Sequence, residues 1–196
     1  MSELVNLFSV PIYITKPPLH QFKKIEKEVF NYTTKNNLKR IPKWNSNVKS
    51  SWGYSQDNTF NSPTFNKLIL EHSVKFAQKL NSPVNNFLIA NSWINISLPN
   101  VSQEVHSHLD DKLSVIFSGI YYIHKPPNTG ETLFVNPLHS EFQHLSKLQA
   151  YLGDFYKRLN VEKGALVLFP SWLQHSTEIN RSKNKRVTLS FNIIIK

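Results

Sequence analysis

The segment "QEVHSHLDDKL", residues 103–113, carries two histidines and two aspartates between positions 106 and 111. Imidazole nitrogen and carboxylate oxygen are the donors that hold divalent metals in a chain without thiols. In an extended strand, alternate side chains share a face, so His106, His108 and Asp110 would all project the same way. A third histidine, His175, sits far downstream in "LFPSWLQHSTEIN". A turn after the apolar run "ALVLFP" would bring it back towards the pair. Two histidines and one carboxylate on one face of a metal hold non-haem Fe(II) and leave coordination positions open. His108 belongs to the set in either register. Its neighbour is Asp110, giving His-x-Asp, or His106, giving His-x-His. A carboxylate would offset part of the Fe(II) charge, which favours Asp110. Two consecutive aspartates also suit a turn, which would leave both histidines on the metal.

The open positions would receive O2 and a chelating cosubstrate such as 2-oxoglutarate, whose far carboxylate needs an anchor. A guanidinium grips a carboxylate with two parallel hydrogen bonds. Arg186 opens the last apolar segment, "RVTLSFNIII", and Ser190 lies four residues on, on the same face of a strand. Tyr122, in "SGIYYIH", offers a hydroxyl. Arg181 is the other arginine between His175 and the end of that segment. Trp44, Trp52, Tyr54 and Trp93 could line a substrate channel, although packed aromatics are the commoner role for such residues.

The elements that must position these groups follow from periodicity. "LHQFKKIEKEVFNYTTKN" (19–36) spaces Phe22, Ile25, Val29 and Tyr32 as one stripe of a helix. A second helix is expected in 61–81, with Ser62 as N-cap, Pro63 in the first turn, and a stripe from Phe65 to Leu80. The polar, aromatic stretch between them reads as irregular. From about residue 86 the pattern becomes short segments rich in β-branched and aromatic residues: "FLIANSWINISL", "SVIFSGIYYIH", "ETLFV", "ALVLFP" and "RVTLSFNIII". Turn residues separate them. Strands in series without long intervening helices predict an antiparallel sandwich or barrel. The expected architecture is mainly β: one domain over 1–196, with helical support in 1–85 and a jelly-roll core in 86–196.

Composition narrows the chemistry. The chain has no cysteine, so disulfides, thiolate catalysis and Cys-bound zinc are excluded. It has five glycines and no Gly-rich phosphate loop. No apolar run reaches spanning length and the start does not resemble a signal peptide, so a cytoplasmic location is expected. The formal net charge is +10, with nine Lys/Arg against three acids in residues 1–50 and five against none in 181–196. A basic surface permits an anionic partner, though these charges are scattered rather than gathered in one arm. The competing function class is a non-catalytic jelly-roll module that binds nucleic acid or a protein through that surface.

The order His-x-Asp, His, Arg resembles the Fe(II)- and 2-oxoglutarate-dependent oxygenases, the prolyl hydroxylases among them. "LFSVPIYITK", "NSWINIS", "HSH", "FSGIYYI", "KGALVLFPSWLQHS" and "RVTLSFN" are similar to a group of 2OG-Fe(II) oxygenases found in bacteria and in tailed phages of marine bacteria. The resemblance implies a double-stranded β-helix, Fe(II), 2-oxoglutarate and O2 as cofactors and cosubstrates, and a hydroxylase activity. It implies His175 as the distal metal ligand and Arg186 as the carboxylate anchor. Tyr122, Ser190 and Asn95 are the further candidates for the cofactor side. It implies no prime substrate: peptide, nucleic acid and small molecule all remain open. The group commonly shows His-x-His with a short gap before its "SG-YY" strand. Here the gap is lengthened by "LDDKLSVIF".

Overall fold

A computed structural model describes residues 9–53, 60–109, 114–138 and 155–196 of the chain. Both expected helices form, α1 over Leu19–Lys35 and α2 over Pro63–Lys79. Ser62 caps α2, its hydroxyl accepting from the Phe65 amide at 3.1 Å, and Pro63 occupies the first turn where no amide donor is needed. The Ser62 hydroxyl also donates to the Glu28 carboxylate, which ties the start of α2 to α1.

The strands are β1 (Tyr13–Thr15), β2 (Lys39–Arg40), β3 (Lys49–Ser50), β4 (Phe87–Ser97), β5 (Gln103–His106), β6 (Val115–His124), β7 (Thr132–Val135), β8 (Tyr156–Leu159), β9 (Leu166–Pro170), β10 (His175–Thr177) and β11 (Arg186–Ile195). They form two antiparallel sheets. The larger has the order β1-β9-β6-β11-β4-β3-β2 and the smaller β5-β10-β7-β8. This is the double-stranded β-helix, or jelly roll, expected from the strand pattern. The N-terminal region contributes more than helices. β1 pairs with β9, and β3 pairs with β4, so part of the stretch expected to be irregular extends the large sheet.

Strand β11 shows why the large sheet can serve two purposes. Its odd-numbered residues Val187, Leu189, Phe191 and Ile193 are fully buried in the apolar cluster that includes Phe22, Ile25 and Val29 of α1 and Phe65, Ile69 and Phe76 of α2. Its even-numbered residues Arg186, Thr188, Ser190 and Asn192 are also buried, yet every one is polar. A strand buried on both faces is normally apolar throughout. Here one face is core and the other lines a polar interior. The neighbour β4 repeats the split: Ile94 and Ile96 join the helix-side cluster, while Asn91 and Asn95 are buried opposite Asn192 and Thr188. No helix among the described residues is long and apolar enough to cross a membrane.

Candidate metal centre

His106 ends β5, and its backbone partner across the small sheet is His175 at the start of β10. His108 lies just beyond β5, where its amide donates to the Ser171 carbonyl at 2.9 Å. That bond pins the stretch after β5 to the turn between β9 and β10. The three imidazoles meet as a result. Ring centroids lie 4.4 Å apart for His106 and His175, 5.0 Å for His108 and His175, and 5.4 Å for His106 and His108. One ligand nitrogen from each ring lies within 4.8 Å of the others.

Their hydrogen bonds fix which nitrogen that is. His106 Nδ1 is 2.9 Å from the Glu104 carbonyl, and His175 Nδ1 is 3.1 Å from the Leu173 carbonyl. His108 Nδ1 is 2.7 Å from Asn192 Oδ1, which also accepts from the Ser118 hydroxyl at 2.8 Å. All three partners are oxygens that only accept, so each Nδ1 carries the proton. Each Nε2 therefore keeps its lone pair. Metal-binding histidines are oriented by this same outer arrangement. Burial also disfavours the charged rings. His108 is pushed down to about 4, first by desolvation and then by His106. His175 is held well below its ordinary value by desolvation and by its two neighbours, and His106 is lowered by desolvation. Three neutral, converging imidazoles with free Nε2 atoms fit a divalent metal. Asp110 lies outside the described residues, as does Tyr54.

Arg186 is only 4% exposed. Its guanidinium donates to the Gly130 carbonyl at 3.2 Å and to the Thr177 hydroxyl at 2.9 Å, both neutral acceptors. Desolvation lowers its pKa, opposed by the nearby Tyr122 and Glu131. Glu131 spends one carboxylate oxygen on Lys125, 2.7 Å away. Thus Arg186 is a buried cation without a carboxylate of its own among the described residues. Burying such a charge is costly unless an anion joins it. Tyr122 is fully buried, with its hydroxyl 2.6 Å from Thr132 Oγ1. Asn95 Nδ2 lies 3.4 Å from Ser190 Oγ, and Asn95 Oδ1 is buried without a partner among the described residues. Arg181, the alternative arginine, instead lines a separate surface groove with Arg158 and Glu178.

A cavity of about 200 Å³ opens beside the histidines, walled by Trp44, Trp52, Trp93 and Glu104. Three of the four aromatic residues named from the sequence as channel candidates therefore meet there. The pins that orient the rings were not foreseen. Two of them are backbone carbonyls, and the third comes from Asn192, a residue that looks like an ordinary strand position in "RVTLSFNIII".

Comparison with known proteins places these residues in context. Residues 91–192 match the family model described as "Putative 2OG-Fe(II) oxygenase". No curated protein sequence matches the chain. Among solved structures, a prolyl-4-hydroxylase from Pseudomonas putida superposes with a TM-score of 0.67 at 12% identity, covering 96% of this chain and 94% of that one. A viral collagen prolyl hydroxylase from Paramecium bursaria Chlorella virus-1, in complex with 2OG, gives 0.58 at 14% identity, covering 93% and 94%. HygX from Streptomyces hygroscopicus, with nickel, 2-oxoglutarate and hygromycin B bound, gives 0.60 at 13% identity, covering 94% and 82%. At these identities the superpositions establish a common fold.

Proposed function

The chain belongs to the 2OG-Fe(II) oxygenase family and is an Fe(II)- and 2-oxoglutarate-dependent oxygenase, and from that premise we propose that His106, His108 and His175 hold the metal while Arg186 anchors 2-oxoglutarate. The observation that carries the assignment is the set of three Nδ1–H groups tied to oxygen acceptors, with the three Nε2 atoms left to converge. When bound, Fe(II) and 2-oxoglutarate supply the oxidising chemistry that inserts oxygen from O2 into a C–H bond, with succinate and CO2 as co-products.

The chain's own residues supply geometry. Glu104, Leu173 and Asn192 hold the three rings in one tautomer, so the metal meets a preformed site. Arg186 gains an anionic partner that its burial otherwise denies it, and Thr177 and Gly130 aim its fork. Tyr122, Ser190 and Asn95 are the further polar groups assigned to the cosubstrate side. Phe169 and Phe134, whose rings pack 4.8 and 5.9 Å from His175, would keep water from that flank of a bound metal. HygX holds nickel and 2-oxoglutarate on the same fold, which supports a shared use of the jelly-roll interior. Fe(II) and 2-oxoglutarate are both available in the cytoplasm, which is where this reading puts the protein. The domain proposal is likewise retained: one oxygenase domain, in which the helices of 1–85 back the sheet of 86–196.

The test separates the two registers. His106→Ala is expected to lose bound Fe(II) and substrate-free 2-oxoglutarate decarboxylation, whereas Asp110→Ala keeps both. The reverse result would replace His106 by Asp110 in the ligand set. His108→Ala and His175→Ala lose the metal in either case.

A further inference from the structure

Beside the metal-binding imidazoles, the cavity walls combine two features that a hydrophobic pocket does not need. The first is an aromatic wall. Trp52 and Trp93 meet edge to face with centroids 4.7 Å apart, and Trp44 completes the lining. The second is an unpaired carboxylate. Glu104 Oε1 accepts from the Asn45 amide at 3.0 Å, which holds the loop carrying Trp44 against β5. Its other oxygen, Oε2, is shielded from solvent and has no hydrogen-bond partner among the described residues. No lysine or arginine lines the cavity among the described residues. No basic side chain at the wall therefore offsets the Glu104 carboxylate, and a cation entering the cavity would meet its charge. Indole faces attract a desolvated cation through their ring quadrupole.

We propose that this cavity is a subsite for an alkylammonium group, and that the enzyme hydroxylates a substrate carrying one, with Glu104 supplying the counter-charge and Trp44, Trp52 and Trp93 the aromatic walls. The cavity of about 200 Å³ has His106 and His108 in its lining as well, so the cationic end of a substrate seated against the tryptophans would lie next to the metal site. The Trp93 ring lies 5.4 Å from the His108 ring, so a cation seated there presents neighbouring carbons to the metal. The reaction is the family's: a C–H bond of the substrate becomes C–OH with one oxygen atom of O2. The other oxygen atom enters succinate as 2-oxoglutarate loses CO2. The excess of basic residues over the whole chain does not oppose this locally, because exposed charges are screened beyond about 8 Å at physiological salt. The inference rests on the Fe(II) assignment only for which carbon reacts. What the cavity binds is a separate matter.

The test uses choline as the cationic probe, 3,3-dimethylbutan-1-ol as its neutral isostere and 3,3-dimethylbutanoate as the anion of similar shape. Binding is read by calorimetry and by tryptophan fluorescence, with the protein metal-free and again with Zn(II) and 2-oxoglutarate bound. Choline is expected to bind about tenfold or more tightly than the alcohol, and the carboxylate weakest. Glu104→Gln keeps an oxygen for the Asn45 amide and leaves the Glu104 carbonyl that orients His106. It is expected to cut choline affinity about tenfold with little effect on the affinity for the alcohol. Trp52→Leu should weaken choline more than the alcohol. Equal affinity for choline and alcohol, tighter binding of the carboxylate, an unchanged choline affinity in Glu104→Gln, or no choline binding at tens of millimolar would each overturn the proposal. Failure of the wild type to take up Zn(II), with the choline preference intact in the metal-free protein, would instead count against the metal assignment alone.

Discussion

At the scale of single residues, the centre depends on oxygens that never touch the metal. Asn192 is the clearest case, because its side-chain oxygen serves both His108 and Ser118. Asn192→Leu keeps the volume and removes the acceptor. Fe(II) affinity is expected to fall on the order of 10- to 100-fold, with little change in fold, as read by anaerobic metal titration. Arg186→Lys keeps the charge but loses the planar fork. The apparent affinity for 2-oxoglutarate should drop at least about tenfold while Fe(II) still binds, since Arg186 contacts Gly130 and Thr177 rather than the histidines. A larger loss in Arg181→Lys would contradict that assignment. Residue type and order were enough to single out His106, His108 and His175, which converge, and Arg186, which is buried. The sequence left the pair of the first cluster open, since alternation along a strand puts 106, 108 and 110 on one face alike. The contact that brings His106 to His175 is a pairing across 69 residues of chain that no local pattern encodes. The pins Glu104 and Leu173 act through backbone carbonyls, which carry no residue signature at all.

At the scale of elements, the site is held by a large sheet that packs one face on α1 and α2 and turns the other inward. The two helices followed from their 3.6-residue period, and β4, β6, β7, β9 and β11 from short runs rich in β-branched and aromatic residues. The strands β1, β2, β3, β5, β8 and β10 did not, because they are short and carry no comparable apolar run. Gly119 in β6 shows how tightly the helix-side face is filled. It lies opposite Phe191 of β11, and a methyl group at Gly119 would stand 2.1 Å from Phe191 Cζ. Phe191 is fully buried and packs on Phe65 of α2 at 5.8 Å, so it has little room to yield. Gly119→Ala is expected to cost about 1–3 kcal/mol in denaturant unfolding. The added substitution Phe191→Leu should recover part of the loss. A neutral Gly119→Ala would mean that the two strands can slide apart more easily than their pairing suggests.

At the scale of the whole molecule, the fold couples distant segments through buried polar groups that respond to pH. His72 of α2 lies 2.9 Å from the Tyr13 hydroxyl of β1, and this pair fastens the helix layer to the edge of the large sheet. Desolvation, then the nearby Lys75, holds the folded pKa of His72 below its ordinary value of 6.5. The folded protein therefore binds fewer protons than the unfolded chain once the pH falls below that value. The stabilising contribution is complete above pH 6.5 and is lost as the pH drops towards the folded pKa. His72→Gln keeps a hydrogen-bond acceptor for Tyr13 but does not titrate. Its unfolding free energy should depend less steeply on pH than that of the wild type between about pH 5 and 7. Parallel pH profiles for the two proteins would remove His72 from the account.

The claim on which the rest depends is that one Fe(II) sits on His106, His108 and His175 with 2-oxoglutarate chelated to it and anchored by Arg186. Anaerobic titration of the protein with Fe(II) in the presence of 2-oxoglutarate, followed by its weak visible metal-to-ligand absorption, tests this most directly. The expected result is a band that saturates at one equivalent of Fe(II) and is absent from His175→Ala. No band at millimolar ligand, or a band that His175→Ala retains, would contradict it.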